Sequence, residues 1–336
     1  MKKIVLTLFT AILLILSATT LSDGVRHGLD VCGMVLIPSL FPFLIFTAYL
    51  NEKSVVSSIS STLDRISRVF LHSHGEEMAV FLVSLLSGYP AGATMLSAML
   101  KNGEISKSRA DTAIYYCFSA GPAFIYTAVG QGILHSSHAG LILLCSHICA
   151  SIITAFTVGI THKTNENSAR TLHNKDGNIV SAVTNATASM IAICAITIAF
   201  SAALNLIYKL PIPTVANCVV SSLLEVTNAC VVLPKVTFYL PLYSAVIGFG
   251  GLSVILQICS IYKNINIKKF VFFRLYHAGL SFLICTALCA LFPIALETSA
   301  LTPKLNVYTA PFSLAMILMC VVFCVSAYTS QNSEKI

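Results

Sequence analysis

The sequence predicts an all-α, polytopic membrane protein, and three observations lead to this class. Hydrophobic residues make up 56% of the 336 residues and charged residues only 10%, whereas soluble domains carry about 25% charged residues. Apolar runs reach roughly 20 residues, the length at which a helix crosses about 30 Å of hydrocarbon. The formal net charge of +7 is spread over short loops, which indicates membrane topology and argues against nucleic-acid binding.

The chain contains a series of apolar runs, two of which are interrupted in their middles. The runs begin near Ile4, Gly28, Met78, Thr112, Ala139, Ile179, Val215, Phe238, Phe270 and Leu305. Ser87-Gly88-Tyr89-Pro90-Ala91-Gly92-Ala93 interrupts the run from Met78, and Glu225-Val226-Thr227-Asn228 interrupts the run from Val215. Because hydrocarbon cannot satisfy freed backbone groups, such breaks must be buried in protein or line a cavity.

The distribution of Lys and Arg indicates that the two interrupted runs do not cross the membrane. If both are re-entrant hairpins and the N-terminus is cytoplasmic, sixteen of the 20 Lys and Arg residues lie inside. The four outside are Arg26, Lys209, Lys235 and Lys304. If both runs cross, the split is eleven to nine. Since cytoplasmic loops are enriched in Lys and Arg, we predict about eight transmembrane helices plus two re-entrant hairpins.

This topology makes the second half of the chain an inverted copy of the first. The predicted units are an N-terminal transmembrane helix (1–24), a first repeat (25–160), a cytoplasmic linker (161–177), a second repeat (178–297) and a C-terminal transmembrane helix (298–336). The first helix is expected to be retained, although Lys2 and Lys3 before an apolar run also fit a cleaved signal peptide. Residues 55–70 have one apolar face, which predicts a helix on the membrane surface.

Inverted repeats with broken helices are typical of secondary transporters, which bind substrate near the bilayer midplane. A further interruption recurs in each half, at Ala120-Gly121-Pro122-Ala123 and at Gly248-Phe249-Gly250-Gly251. We therefore expect all four breaks to surround one substrate site. The candidate substrate-binding residues are Ser87, Gly88, Tyr89, Pro90, Gly92, Gly121, Pro122, Glu225, Thr227, Asn228, Gly250, Gly251, Ser253 and Gln257.

Glu225 is the most informative of these residues because it lies inside a spanning-length apolar run, where an ionisable side chain is costly. Two interpretations stay open. Glu225 contacts substrate or carries a proton, in which case Gln in its place abolishes pH-dependent transport. Otherwise it caps the backbone at the break, in which case Gln is expected to be nearly silent.

Other residue types give little sign of chemistry. His147 and His277 lie within or near spans, where they either carry protons or pack as hydrogen-bonded residues. The cysteines fit small apolar packing residues. The chain contains no GxxxxGK[ST], HExxH or GxSxG sequence, so we predict no enzyme, no cofactor and no metal site.

The breaks, in their order and spacing, resemble those of a known family. The segments that carry the resemblance are Ser87–Ala93, Gly121–Phe124, Leu224–Asn228, Phe249–Ser253 with Gln257, and Pro38–Phe43. They are similar to the YlbJ-type sporulation integral membrane proteins. These carry the Gate or nucleoside-recognition domain, which concentrative nucleoside transporters share in diverged form. The resemblance covers roughly residues 25–300, so both predicted repeats are Gate-like. One departure is Ala229-Cys230, where the family pattern has a glycine.

The resemblance implies a function in spore formation. It implies a multi-pass protein of the mother-cell-derived membrane around the forespore, and a role in moving dipicolinate toward the spore. The expected partners are a small anionic substrate, the lipid bilayer and other sporulation membrane proteins, without nucleic acid. The alternative is a scaffold that recruits sporulation partners and transports nothing.

Overall fold

The computed structural model describes residues 12, 14–52, 55–162, 179–237, 239–263 and 265–293, and every regular element in these ranges is helical. The all-α class is therefore confirmed for this part of the chain. The predicted C-terminal transmembrane helix, most of the cytoplasmic linker and the start of the N-terminal helix lie outside the described residues.

The helices follow one another through the chain with few long connections. They are α1 (Ala18–Val31), α2 (Ile37–Glu52), α3 (Val55–Phe70), α4 (Gly75–Ser87), α5 (Tyr89–Lys101), α6 (Lys107–Ala113), α7 (Ser137–Thr161), α8 (Ile179–Tyr208), α9 (Thr214–Leu224), α10 (Val226–Val232), α11 (Leu240–Phe249), α12 (Gly251–Ile261) and α13 (Ile267–Leu291). Two π-helical segments, Cys32–Leu36 and Ala123–Ile133, and one 3₁₀ turn, Leu233–Lys235, complete the described elements.

Five helical stretches in the described residues are long and apolar enough to cross a membrane. They are Ala18–Phe46, Ser137–Thr161, Ile179–Tyr208, Leu240–Ile261 and Ile267–Leu291. A sixth arises if Thr62–Phe70 and Gly75–Ser87, which meet at 87°, form one bent span or re-entrant loop. The chain is thus a polytopic helical membrane protein, and its candidate spans in this part differ from the predicted ones in two places.

The first difference lies at the start of the predicted first repeat. α1, the π-helical segment Cys32–Leu36 and α2 form one helical stretch, so no separate span begins near Gly28. The predicted boundary between residues 24 and 25 falls inside α1. Gly24 and Gly28 pack against α8, because a Cβ on either would lie within 2.8 Å of its backbone. Such small residues allow membrane helices to approach closely, which explains why the chain stays helical through both glycines.

The second difference concerns the run predicted to span from Thr112. α6 ends at Ala113, residues 114–121 have turns and irregular backbone, and the π-helical segment Ala123–Ile133 follows. The break expected at Gly121 and Pro122 is present, but the helix already ends at Ala113, so this run does not form one continuous span.

An ion pair buried between helices fixes the first half of the fold. Arg109 on α6 donates to both carboxylate oxygens of Glu77 on α4, at 2.5 and 2.6 Å, and to Glu76 at 3.1 Å. The Arg109 and Glu77 side chains are fully buried. Removing either partner would leave an uncompensated buried charge, so this bidentate pair sets the position of α4 against α6.

Candidate functional site

The first predicted hairpin is present as two helices that fold back on each other at Gly88. This residue has φ 94°, a left-handed conformation that favours glycine. A Cβ on Gly92 would lie 3.0 Å from Ser84 Cβ, whereas eight residues of straight helix separate two positions by about 12 Å. A Cβ on Gly92 would also meet the Cys117 carbonyl oxygen at 1.9 Å. Gly92 therefore packs α5 closely against backbone, and its contact with a substrate stays a prediction.

The second predicted hairpin breaks at Glu225, whose extended backbone separates α9 from α10. The Glu225 carboxylate caps α10: one oxygen accepts from Thr227 N at 3.1 Å, and the other accepts from Asn228 N at 2.7 Å. The Asn228 side-chain amide donates to the same carboxylate at 2.8 Å and also contacts Ser201 Oγ at 2.8 Å.

These contacts match the capping interpretation of Glu225. All three partners donate hydrogen bonds, so they satisfy an ionised carboxylate, and the N-terminus of α10 adds the positive end of its dipole. Gln in this position would turn its own NH₂ group toward a donor. Under the capping interpretation this geometry favours a moderate cost for Gln over a silent substitution, and the effect stays a prediction. Contact between Glu225 and substrate stays a prediction.

The four breaks meet in one region. A Cβ on Gly121 would lie 2.9 Å from Gly88 N, so the first hairpin tip packs on the Gly121 break. A Cβ on Gly250 would lie 3.6 Å from the Tyr89 ring, and the Tyr89 hydroxyl donates to the Ile247 carbonyl at 2.7 Å. A Cβ on Gly251 would lie 3.1 Å from Glu225 N. The breaks of both halves are thus in mutual contact.

A cavity of about 50 Å³ lies where the breaks meet. Its polar side comprises Ser87, Tyr89, Glu225, Thr227 and Gln257, together with the backbone at Gly88, Pro90 and Gly121. Its apolar side comprises Leu36, Leu40, Leu44, Phe124, Ile193, Val226 and Val254, with Thr197 among them. Eight of the predicted site residues therefore line one cavity.

The other predicted site residues lie behind this lining. Gly92, Pro122, Asn228, Gly250, Gly251 and Ser253 are not part of the cavity surface. Gly250 and Gly251 both have left-handed backbone, with φ 86° and 80°, which explains why glycine occupies both positions. Ser253 is buried and its hydroxyl has no hydrogen-bond partner among the described residues, an exception that calls for an explanation in a native interior.

Sequence reasoning missed Arg274, which it counted among the cytoplasmic cations. The structure buries Arg274 on α13 at 1% exposure. Its guanidinium donates to the Phe118 carbonyl at 2.8 Å and to the Gly248 carbonyl, and lies 4.5 Å above the Phe118 ring centroid. Phe118 in turn packs on Tyr89, with ring centroids 5.0 Å apart. Arg274 therefore connects the irregular segment before Gly121 to the last turn of α11, just behind the cavity.

Two histidines lie beside Arg274 and form a buried polar cluster with it. The rings of His147 on α7 and His277 on α13 lie 4.5 Å apart in an edge-to-face arrangement. His147 Nε2 lies 3.0 Å from both Ala120 N and Ser119 Oγ. His277 Nδ1 lies 2.7 Å from Arg274, and its Nε2 lies 3.3 Å from Ser151 Oγ. The histidines are thus hydrogen-bonded members of the cluster, as one of the two interpretations predicted.

Comparison with known proteins shows that this chain is distantly similar to a sporulation protein. The sporulation integral membrane protein YlbJ of Bacillus subtilis (strain 168) is 26% identical over 164 residues. The chain is a distant relative of a sporulation integral membrane protein. The match covers 47% of this chain and 40% of the relative, which is less than half of the relative's length. No family model and no solved structure matches the chain.

Proposed function

We propose that the chain transports a small anionic metabolite across a membrane of the sporulating cell and does not chemically convert it. The substrate site would lie between the two hairpin tips. The observation that carries this proposal is the mutual contact of the four helix breaks, three of which line one cavity. Broken helices in a membrane persist where they line a cavity, and secondary transporters bind substrate at such places.

The composition of the cavity favours a planar, partly polar substrate. Ligand sites combine an apolar surface with a few polar groups that fix orientation. Here the lining combines apolar residues such as Leu40 and Phe124 with polar ones such as Thr227 and Gln257. One turn before Gln257, the unpartnered Ser253 hydroxyl offers a further hydrogen bond after a small movement. An aromatic dicarboxylate such as dipicolinate, which the family resemblance implies, has this combination of surfaces.

The charge balance around the cavity supports an anionic substrate despite the presence of Glu225. Like charges repel strongly in a low dielectric, but three donors and the N-terminus of α10 already compensate the Glu225 carboxylate. Arg274 contributes a buried positive charge for which the described residues show no ion pair. The cluster behind Tyr89 therefore carries an excess of positive charge that favours an anion.

The size of the cavity indicates a closed conformation. A volume of about 50 Å³ is well below the roughly 300–1,000 Å³ of typical small-molecule pockets. Transport would require the hairpins to separate and admit substrate from one side at a time. The re-entrant arrangement of α4–α5 and α9–α10 in the membrane is part of this proposal.

The alternative function is a scaffold that recruits sporulation proteins and has no transport cycle. Two observations favour it: the cavity is small, and Glu225 has a complete set of capping partners. A scaffold requires neither an opening cavity nor a free carboxylate.

Uptake by the full chain in proteoliposomes separates the two functions. We expect saturable uptake of labelled dipicolinate above that of empty liposomes, and weaker uptake of labelled nucleosides. If proteoliposomes that contain the correctly folded chain take up no more of either compound than empty liposomes do, the result would contradict transport and favour the scaffold.

A further inference from the structure

The two long helices α7 and α13 carry the same polar pattern at matching positions. Each has 25 residues, and His147 and His277 are separated by 130 residues. Each histidine is the eleventh residue of its helix, and a serine follows four residues later, Ser151 or Ser281. In the structure the two imidazoles meet edge to face. The last helix of one half therefore contacts the last helix of the other through these two matching histidines.

Arg274 extends this correspondence to the backbone. Its two terminal nitrogens donate to the carbonyls of Phe118 and Gly248, which are also 130 residues apart. These carbonyls belong to the breaks before Gly121 and before Gly251, so one guanidinium holds the same backbone group in each half. The matching position on α7 is Leu144, and a single arginine therefore serves both breaks.

The hydrogen bonds define where each imidazole carries its proton. A backbone N–H can only donate, so His147 Nε2 accepts from Ala120 N, and its proton resides on Nδ1. That Nδ1 is buried and finds no hydrogen-bond partner in the part of the chain that the structure describes. A guanidinium likewise can only donate, so His277 Nδ1 accepts from Arg274, and its proton resides on Nε2, toward Ser151. Both imidazoles are neutral in this arrangement.

We propose that His147 and His277 form a proton-sensitive latch on the helix breaks. A proton from water added to His147 Nε2 would face the Ala120 N–H, and one added to His277 Nδ1 would face the Arg274 N–H. Either event breaks a hydrogen bond that holds an irregular segment, so protonation favours the open arrangement. When the proton returns to water, the segment closes again. If the proposed transport function holds, this latch couples it to protons.

The surroundings of the latch strengthen its response. Arg274 is the charged group that faces both imidazoles, and the Tyr89 phenol faces Arg274 from α5. The segment before Gly121 contributes the Ser119 hydroxyl, α7 contributes Ser151, and α11 contributes only the Gly248 carbonyl. Within the described residues no carboxylate pairs with these groups. A protonated imidazole would therefore be repelled by Arg274 without compensation.

Two substitutions keep the acceptor of one latch hydrogen bond each but replace a histidine with a residue that cannot titrate. The carbonyl oxygen of Gln takes the place of Nε2 in His147→Gln, and that of Asn takes the place of Nδ1 in His277→Asn. His138→Gln is the matched control, because His138 is an exposed histidine at the start of the same helix as His147.

The readout is the labelling rate of Cys117 by a permeant maleimide in the full chain, with the other cysteines replaced. Cys117 is fully buried next to Phe118, so opening of this segment exposes it. Rates are measured between about pH 5 and pH 8, where histidine changes charge. Each rate is divided by that of a free thiol peptide at the same pH. Hydrogen exchange of residues 118–122 in the same samples provides a second measurement of opening.

We expect the normalised rate in the parent and in His138→Gln to rise on acidification by up to about tenfold for each pH unit. Each single variant keeps one titratable histidine and should show a weaker rise, whereas the protein that carries both His147→Gln and His277→Asn should stay low and nearly constant. A parent-like pH response in this double variant, by labelling and by exchange, would overturn the latch. Because neither measurement uses a substrate, the result is independent of whether the chain transports dipicolinate.

Discussion

Glu225 and Arg274 are two charges buried at helix breaks, and the protein satisfies them in opposite ways. The partners of Glu225 are Thr227 and Asn228, within three residues along the chain. The backbone partners of Arg274 lie 156 and 26 residues away, on two separate segments. Glu225 therefore stabilises one local turn, whereas Arg274 connects the two halves. The comparison indicates that local order and domain coupling depend on different residues.

The largest expected effect comes from removing the local charge. In Glu225→Leu the Thr227 and Asn228 N–H groups and the Asn228 amide lose their acceptor. Each unpaired buried donor costs about 1–3 kcal/mol, so we expect a large fall in folded yield and thermal stability in detergent. Glu104→Leu, near the C-terminal end of the first hairpin, is the control and should behave like the parent. Normal stability of Glu225→Leu would show that the cap contributes little.

Arg274→Lys tests whether the Arg274 guanidinium connects the two halves. A single ammonium group cannot reproduce the planar fork that reaches both carbonyls, so at least one carbonyl loses its donor. We expect a loss of about 1–3 kcal/mol together with faster labelling of Cys117. Arg65→Lys, at an exposed arginine on α3, should change stability by less than about 0.5 kcal/mol. If Arg274→Lys and Arg65→Lys are indistinguishable, Arg274 does not couple the halves.

The thermal stability of Glu225→Gln is expected to lie between that of the parent and that of Glu225→Leu. Gln keeps one acceptor oxygen but directs an NH₂ group at a backbone donor, which costs about 1–2 kcal/mol. Thermal unfolding of the three proteins side by side measures this order. A glutamine protein as stable as the parent would indicate that Glu225 is already protonated in the closed conformation, in favour of a proton-carrying role.

Tyr89→Phe should have the smallest effect. It removes only the hydrogen bond to the Ile247 carbonyl, while Arg274 still holds the adjacent Gly248 carbonyl. We expect a loss of about 0.5–1.5 kcal/mol in thermal unfolding. A larger loss than in Arg274→Lys would assign the coupling of the halves to Tyr89 instead.

Part of this site was predictable because its signals are local in sequence. A Glu inside an apolar run, and Gly or Pro at a break, are recognisable from a few neighbouring residues, so Gly88, Glu225 and Gly250 were identified as special positions. Arg274 was not, because it follows Lys268 and Lys269 and was grouped with these loop cations. Its partners become apparent only when distant segments are brought together.

The number of continuous spans was also beyond sequence reasoning. Hydropathy cannot distinguish a straight helix from a π-helical or irregular segment of the same composition, so it counts the run from Thr112 as a span even though Gly121 and Pro122 mark a break within it. The histidine–serine correspondence between α7 and α13 is visible in the sequence, but only after the helix bounds give the offset of 130 residues.

The central claim is that the cavity between the breaks binds the transported anion, and Gln257→Leu tests it most directly. Gln257 lines the cavity, and Leu has a similar size but offers no hydrogen bond. The measurement is uptake of labelled dipicolinate into proteoliposomes by the parent, by Gln257→Leu and by Gln131→Leu, whose glutamine is exposed outside the cavity. We predict that uptake falls about 10- to 100-fold in Gln257→Leu and is unchanged in Gln131→Leu, with thermal stability preserved in both. Uptake by folded Gln257→Leu equal to that of the parent would contradict the account.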